Sequence, residues 1–140
     1  MINTALISFG MSGKVFHAPF IAANPNFNLV GSWERSTKNI VATYPGTKSY
    51  NSYEELLADS NIDLVVVNSP NDSHFAYVKS ALLAGKHVVC EKAFTNTSAE
   101  AQELDELANK KGLKLAVYQN RRYDADFLTI QKLRRCVGYL

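Results

Sequence analysis

The chain has 140 residues, 46% of them hydrophobic and 20% charged, with a formal net charge of +2. This length predicts a single globular domain with a sizeable core, and the nearly balanced charge gives no general case for nucleic acid or an anionic membrane as a partner. No apolar run reaches the ~18 residues of a membrane span, and the N-terminus lacks the charged region of a signal peptide.

Short apolar, β-branched segments recur along the chain and predict strands. They lie at residues 4–9, 27–33, 47–52, 63–69, 86–91 and 113–119. Most of them are almost continuously hydrophobic, which is typical of strands covered on both faces in a parallel sheet. The segment at 47–52 is the weakest of the six.

Helical patterns separate these strands. Ser52 with Glu55 and Thr97 with Glu100 are capping boxes at two helix starts, and Gly112 predicts the end of the second helix. Further helices are predicted at 10–21, 73–85 and from Asp124 onward. Alternating strands and helices predict an α/β fold, a doubly wound and mainly parallel sheet of six strands in a single domain.

The first predicted strand is followed by the glycine-containing turn "SFGMSG", residues 8–13. It matches the dinucleotide fingerprint G-x-G-x-x-G/A except that Ser8 replaces the first glycine. Gly10 would let a pyrophosphate approach the backbone, and Gly13 would let the helix pack on the strand. The backbone N–H groups of Met11 and Ser12 at the helix start would face the phosphates. The pattern favours a Rossmann nucleotide site over an unliganded turn.

An acidic residue, Glu34, follows the second predicted strand, 24 residues after Gly10. A carboxylate there can accept hydrogen bonds from an adenosine ribose. We therefore expect NAD, since Glu34 would repel a 2′-phosphate. NADP is the alternative, because Arg35, Ser36 and Lys38 could hold that phosphate.

Three longer stretches carry a family resemblance: "FGMSGKVFHAPFI", "VVVNSPNDSHFAYVKSALLAGKHVVCEKAFTNT" and "YQNRRYDADFLTIQKL". Together they resemble the cofactor domain of the Gfo/Idh/MocA oxidoreductases. The resemblance implies an NAD(P)-binding Rossmann domain over 1–120 that works on a sugar or polyol. It also implies that 121–140 form a final helix leading to a second, substrate-binding domain that is absent here.

The resemblance also assigns roles to individual residues. Its T-P-N-x-x-H loop corresponds to Ser69, Pro70, Asn71 and His74, which would line the nicotinamide side of the cofactor. Its E-K-P motif corresponds to Glu91 and Lys92, where Lys92 is the candidate catalytic group. Asn120 and Arg121 would lie near the nicotinamide and the substrate. His74 is equally well explained as a packed residue at a helix start. His17 is expected to pack or to lie on the surface, with a position facing the nicotinamide cleft as the alternative.

Besides Ser8 in place of the first glycine, two features depart from the family pattern. Ala93 replaces the proline of E-K-P, which leaves open whether the Lys92–Ala93 bond is cis, as the family expects, or trans. The second domain and its catalytic histidine are missing, so we expect these 140 residues to bind a nucleotide without turning substrate over. Tyr118, Tyr123 and Phe127 would then be exposed, which would favour a homo-oligomer.

Other functions remain open alternatives. A nucleotide-binding sensor or regulator would keep this fold without the chemistry, and a domain for S-adenosylmethionine or another adenosine ligand is a third reading. No His, Cys, Asp or Glu spacing predicts a metal site. Cys90 and Cys136 are far apart and fit a reducing compartment, so the expected location is the cytoplasm.

Overall fold

The computed structural model describes residues 1–36 and 38–137. Six strands form one parallel sheet in the order β3-β2-β1-β4-β5-β6. Their bounds are β1 Ile2–Leu6, β2 Phe27–Trp33, β3 Lys48–Tyr50, β4 Leu64–Val67, β5 His87–Cys90 and β6 Leu115–Val117. The order reverses between β1 and β4, which is where an open α/β sheet binds ligands. The predicted doubly wound α/β fold is confirmed.

Helices cover both faces of this sheet. A π-helical turn at Gly13–His17 leads into α1, Ala18–Ala23. The other helices are α2 Asn39–Thr43, α3 Tyr53–Ala58, α4 His74–Leu83, α5 Ser98–Lys111 and α6 Ala125–Val137. Two short 3₁₀ turns lie at Asn71–Ser73 and Asn120–Tyr123. The predicted final helix is therefore present within 121–140, and residues 138–140 lie outside the described part of the chain.

Two apolar clusters hold these layers together, one on each face of the sheet. Because side chains alternate along a strand, Val65 and Val67 of β4 face the larger cluster and Val66 faces the smaller one. The larger cluster is completed by α3, α4 and α5, and includes the fully buried Leu82 and Leu104. The smaller cluster is completed by α1 and α2. Continuous hydrophobicity in the strands thus reflects burial on both faces.

The predicted helix ends agree with the structure in most respects. Thr97 and Glu100 form the full reciprocal capping box of α5, and Gly112 ends that helix with φ 67°. Ser52 accepts a hydrogen bond from the Glu55 N–H as predicted, but the Glu55 carboxylate bonds to the N–H of Asn51 instead of Ser52. The strands are mostly shorter than predicted, and β1 spans 2–6 rather than 4–9. The five-residue α2 was not predicted, since it is too short to show a helical period.

Candidate functional site

The predicted site residues gather at the carboxyl edge of the sheet, around two cavities. The first, called here the β2 cavity, has a volume of about 210 Å³ and lies beside the end of β2. The second, the β5 cavity, has a volume of about 390 Å³ and lies beside the end of β5. The glycine turn contributes to both, with Gly10 in the β2 cavity and Met11 and Ser12 in the β5 cavity. This edge is the expected place for a dinucleotide.

The glycine turn is held from below by an asparagine that sequence reasoning missed. Asn68, buried at the end of β4, donates its Nδ2–H to the Ser8 carbonyl at 2.8 Å. Ser8 in turn accepts the Gly10 N–H on its hydroxyl at 3.3 Å. No described residue other than glycine has a positive φ. Ser8 therefore replaces the usual glycine without adopting a left-handed conformation.

The two glycines of the turn have different surroundings. Gly10 is exposed, and a Cβ added to it would meet only the Ser8 hydroxyl at 3.4 Å. Gly13 is buried, and an added Cβ would lie 2.5 Å from the Ser8 carbonyl oxygen and 3.1 Å from Asn68 Nδ2. Gly10 thus keeps the backbone open to a ligand, whereas Gly13 allows close packing of the turn on the strand, as predicted.

The β2 cavity combines aromatic walls with a basic rim. The residues of its lining are Ile7, Ser8, Phe9, Gly10, Trp33, Glu34, Arg35, Ser36, Ser69, Pro70 and Tyr77. The Trp33 and Tyr77 rings lie 5.8 Å apart, and both contact Tyr53 behind them. Such a wall can pack on a flat heteroaromatic ring. Five of the predicted cofactor residues besides Gly10 are brought together here: Ser8, Glu34, Arg35, Ser69 and Pro70.

Glu34 has a role that the sequence did not reveal. Its two carboxylate oxygens accept the N–H groups of Asn39 and Ile40, at 3.0 Å and 3.2 Å. The carboxylate therefore caps the start of α2. The partial positive charge of a helix N-terminus favours a negatively charged group at this place. Lys38 is also engaged elsewhere, donating to Asn51 at 2.9 Å. Of the charged residues considered after β2, Arg35 remains at the rim of the cavity with its side chain exposed.

The β5 cavity brings the second group of predicted residues together. Its lining residues are Met11, Ser12, Phe16, Glu91, Lys92, Asn120 and Arg121. Lys92 is exposed at the end of β5, and the Lys92–Ala93 peptide bond is cis. This bond has the geometry that the family expects at a proline, although alanine follows here. Arg121 donates to Asp124 at 2.8 Å and is exposed at the cavity rim.

Glu91 joins the two sides of the β5 cavity. Its Oε1 accepts the Ser12 hydroxyl at 2.7 Å and pairs with His17 Nε2 at 2.9 Å, and its Oε2 accepts the Lys92 N–H at 3.2 Å. Burial alone would raise the pKa of Glu91, but these hydrogen bonds outweigh it and hold the pKa below its usual value. Glu91 is therefore a carboxylate at neutral pH.

His17 lies at the centre of this arrangement. It is buried, with 4% of its surface exposed, and its ring packs on Tyr118 with centroids 4.5 Å apart. Burial lowers the pKa of His17 below 6.5 despite the opposing effect of Glu91. Its packing was expected, but its bond to Glu91, 74 residues away, was not.

These shifts predict a loss of stability in acid. His17 binds a proton more readily in the unfolded chain than in the folded one. The contribution of His17 to the free energy of unfolding is therefore complete above pH 6.5 and is lost as pH falls below that value. The Glu91 contribution is lost in a lower window, below pH 4.5. We expect the melting temperature to fall between about pH 7.5 and about pH 5.5. The change should be smaller in His17→Gln, and an equal change in both proteins would contradict the assignment.

His74 and Asn71 lie outside both cavities. The His74 ring is fully buried, with Nδ1 2.8 Å from the Ala93 carbonyl oxygen and Nε2 2.8 Å from the Ser69 carbonyl oxygen. It joins the loops after β4 and β5, so the structure supports the packed alternative and leaves this ring no surface for a cofactor. Asn71 is exposed in the 3₁₀ turn beside Pro70.

A third cavity, of about 750 Å³, opens beside β6. Its lining combines apolar side chains such as Phe16 and Val117 with polar ones that include Asn120 and Arg121. Tyr123 at its rim is 80% exposed and Phe127 in α6 is 39% exposed, as expected for both. Tyr118 differs from the expectation, because it is half-buried and donates its hydroxyl to the Phe16 carbonyl at 3.0 Å.

Two further classes of site can be addressed within the described residues. Over 1–36 and 38–137, no group of three or more His, Cys, Asp or Glu side chains is placed to hold a metal ion. No helix within these ranges is both long and apolar enough to cross a membrane. Burial raises the pKa of the Cys90 thiol to about 12, so this cysteine is an unreactive core residue.

Comparison with known proteins agrees with this geometry. The model of the Gfo/Idh/MocA oxidoreductase family, with its NAD-binding Rossmann fold, matches residues 2–119. An uncharacterized oxidoreductase of Schizosaccharomyces pombe is 52% identical over 94% of this chain and 37% of its own length. The NADP⁺-dependent scyllo-inositol 2-dehydrogenase of Bacillus subtilis is 36% identical over 94% of this chain and 37% of its own length.

A solved oxidoreductase structure from Bacteroides fragilis superposes with a TM-score of 0.91 at 51% identity, over 98% of this chain and 42% of that one. The chain therefore spans about two fifths of the length of these relatives. The family match over residues 2–119 includes the glycine turn and all lining residues of the β2 cavity.

Proposed function

The chain belongs to the Gfo/Idh/MocA oxidoreductase family, and from this premise we propose that it binds NADP(H) along the carboxyl edge of its sheet. The observation that carries the proposal is the pair of cavities that share the glycine turn, with the exposed Gly10 in one and Met11 and Ser12 in the other. A dinucleotide needs such an arrangement, with one site for each half and an open backbone turn between them. The aromatic wall of Trp33 and Tyr77 fits the adenine, and the N–H groups of Met11 and Ser12 fit the pyrophosphate.

The choice of NADP(H) over NAD(H) departs from our expectation from sequence. Glu34 lines the cavity, but each of its oxygens already accepts a backbone N–H at the start of α2, so the protein itself engages this carboxylate. Arg35 and Ser36 line the same cavity and can donate to a 2′-phosphate. The NADP⁺ dependence of the inositol dehydrogenase named above supports the same choice.

Replacing Arg35 tests this choice. A charge-assisted hydrogen bond contributes about 1.5–3 kcal/mol, so Arg35→Ala should weaken NADPH binding by about 10–100-fold. NADH binding should change little, because NADH lacks the 2′-phosphate. Lys132→Ala, on the exposed α6, is the matched control and should bind both nucleotides as the native chain does. Tighter binding of NADH than NADPH by the native chain would contradict the proposal.

The β5 cavity is the proposed place of the nicotinamide. When bound, the cofactor supplies a carrier that accepts or donates hydride. The chain's own contribution is orientation by the cavity wall and a donor at Lys92, whose ammonium can hydrogen-bond a substrate hydroxyl or carbonyl oxygen beside the carrier. Since the similar inositol dehydrogenase acts on a polyol, we propose a sugar or polyol as the substrate class.

We also propose that these 140 residues bind the nucleotide without sustained turnover. The lining residues of the β5 cavity come from the glycine turn, from Phe16 in the π-helical turn behind it, and from the segments after β5 and β6. These segments all lie at the carboxyl edge of the sheet, and the cavity is open to solvent on its other side. Orientation in a closed site lowers a barrier by roughly 7–11 kcal/mol, and this contribution would be largely missing.

Nicotinamide absorbance during incubation with a panel of sugars, polyols and NADP⁺ tests both proposals. We expect no steady change in absorbance with the 140-residue chain. Sustained turnover that Lys92→Ala abolishes would contradict the proposed inactivity and would identify the substrate among the panel. Turnover that Lys92→Ala leaves unchanged would instead remove the role given to Lys92.

A further inference from the structure

The buried position of His17 separates it from any ligand of the β5 cavity. It is 4% exposed, lies beneath the turn that carries Ser12, and is not among the residues that line the cavity. Its Nε2 nevertheless lies 2.9 Å from the Glu91 carboxylate, which does line the cavity. Glu91 is therefore the hydrogen-bonded link between His17 and the cavity.

Glu91 connects parts of the site that are distant in sequence. The same oxygen, Oε1, that faces His17 also accepts the Ser12 hydroxyl at 2.7 Å. The other oxygen accepts the backbone N–H of Lys92 at 3.2 Å. One carboxylate thus joins the turn proposed to hold the pyrophosphate to the loop that carries Lys92. Its orientation depends on both donors to Oε1, and His17 is the buried one.

We propose that His17 is a positioning residue of the nucleotide site, which orients Glu91 so that Glu91 holds the Ser12 hydroxyl and with it the glycine turn. This inference rests on the proposed binding of NAD(P)(H). The requirement at position 17 is for a donor that reaches Glu91 from within the core. The second ring contact, with Tyr118 at 4.5 Å between centroids, keeps the imidazole plane in place.

The donor requirement distinguishes positioning from simple filling of space. Glutamine carries an amide N–H that can donate to Glu91, whereas leucine has a similar volume and no donor. We expect His17→Leu to weaken NADH binding at least about fivefold, because the half-buried Glu91 carboxylate loses a hydrogen bond. We expect His17→Gln to bind NADH within about twofold of the native chain. Energy transfer from Trp33, the single tryptophan, to bound NADH measures both.

The pH profile of NADH affinity is a second readout that a space-filling role would not change. Charged and titratable groups around the His17 ring are Glu91 and Tyr118 in contact, with Lys92 and Arg121 on the cavity beyond. Protonation of His17, whose pKa lies below 6.5, adds a positive charge beneath the turn. NADH, which has no 2′-phosphate to titrate, should therefore bind more tightly as pH falls below about 6.5, and this rise should be absent in His17→Gln.

Ser12→Ala provides an independent variant if His17→Leu does not fold. It removes the other donor to Glu91 Oε1 at a half-buried position, and we expect a similar loss of NADH affinity. Native affinity in Ser12→Ala and His17→Leu would overturn the inference, as would equal losses in His17→Gln and His17→Leu. If the native chain binds neither NADH nor NADPH, the proposed function fails first, and the inference fails with it.

Discussion

Gly10→Val should abolish most nucleotide binding while leaving the chain folded. Gly10 is exposed between the two cavities, and a Cβ there meets no protein atom closer than the Ser8 hydroxyl at 3.4 Å. The branched side chain would instead occupy the space through which the pyrophosphate reaches the backbone. We expect NADPH affinity to fall by at least about a hundredfold, equivalent to about 2.8 kcal/mol, in a calorimetric titration.

Thermal unfolding of the same protein is the control for this result. The melting temperature of Gly10→Val should stay close to that of the native chain, because the position is exposed and an added Cβ meets only the Ser8 hydroxyl, at van der Waals distance. Equal NADPH affinity in the two proteins would mean that the pyrophosphate does not lie on this turn. Loss of binding together with loss of the folded state would place the defect in the fold instead.

Gly13→Ala, in contrast, should greatly lower the free energy of unfolding. The added Cβ would lie 2.5 Å from the Ser8 carbonyl oxygen. This oxygen belongs to the backbone, so it cannot move away as the end of a flexible side chain could. Overpacking of a well-packed interior costs typically 1–3 kcal/mol, and we expect at least about 3 kcal/mol here because both partners belong to tightly held segments. Urea denaturation measures the free energy of unfolding.

Gly10→Ala is the matched control, since it makes the same chemical change three residues earlier. Its free energy of unfolding should lie within about 0.5 kcal/mol of the native value, as for an exposed substitution. Equal stability of Gly10→Ala and Gly13→Ala would contradict the close packing of the turn on β1 and Asn68.

The fold could be predicted because its signals are local. Val65, Val66 and Val67 form a continuous apolar run, as burial on both faces requires. Thr97 with Glu100 marks the start of α5 within four residues of sequence. The helix α2 could not be predicted in this way. It has five residues, and its start is fixed by the Glu34 carboxylate, a side chain that sequence reasoning had assigned to a ribose.

The candidate site shows the same difference between local signals, which a sequence reveals, and contacts between distant residues, which it does not. Residues within motifs, such as Gly10 and Lys92, could be proposed because glycine and lysine at these places suit phosphate binding and proton chemistry. The bonds of Asn68 to Ser8 and of His17 to Glu91 could not be predicted, because they are contacts across 60 and 74 residues. A resemblance to short motifs contains no information on such pairs, which exist only once parallel strands bring their carboxyl ends together.

Titration of NADPH into the native 140-residue chain, followed by quenching of Trp33 and by calorimetry, is the most direct test of the central claim. Trp33 is the single tryptophan and lines the β2 cavity, so it reports on the place where the adenosine half is proposed to lie. We expect saturable binding of one NADPH per chain, tighter than the binding of NADH and unaffected by S-adenosylmethionine. Absence of saturable binding of either nucleotide, or displacement of NADPH by S-adenosylmethionine, would contradict this expectation.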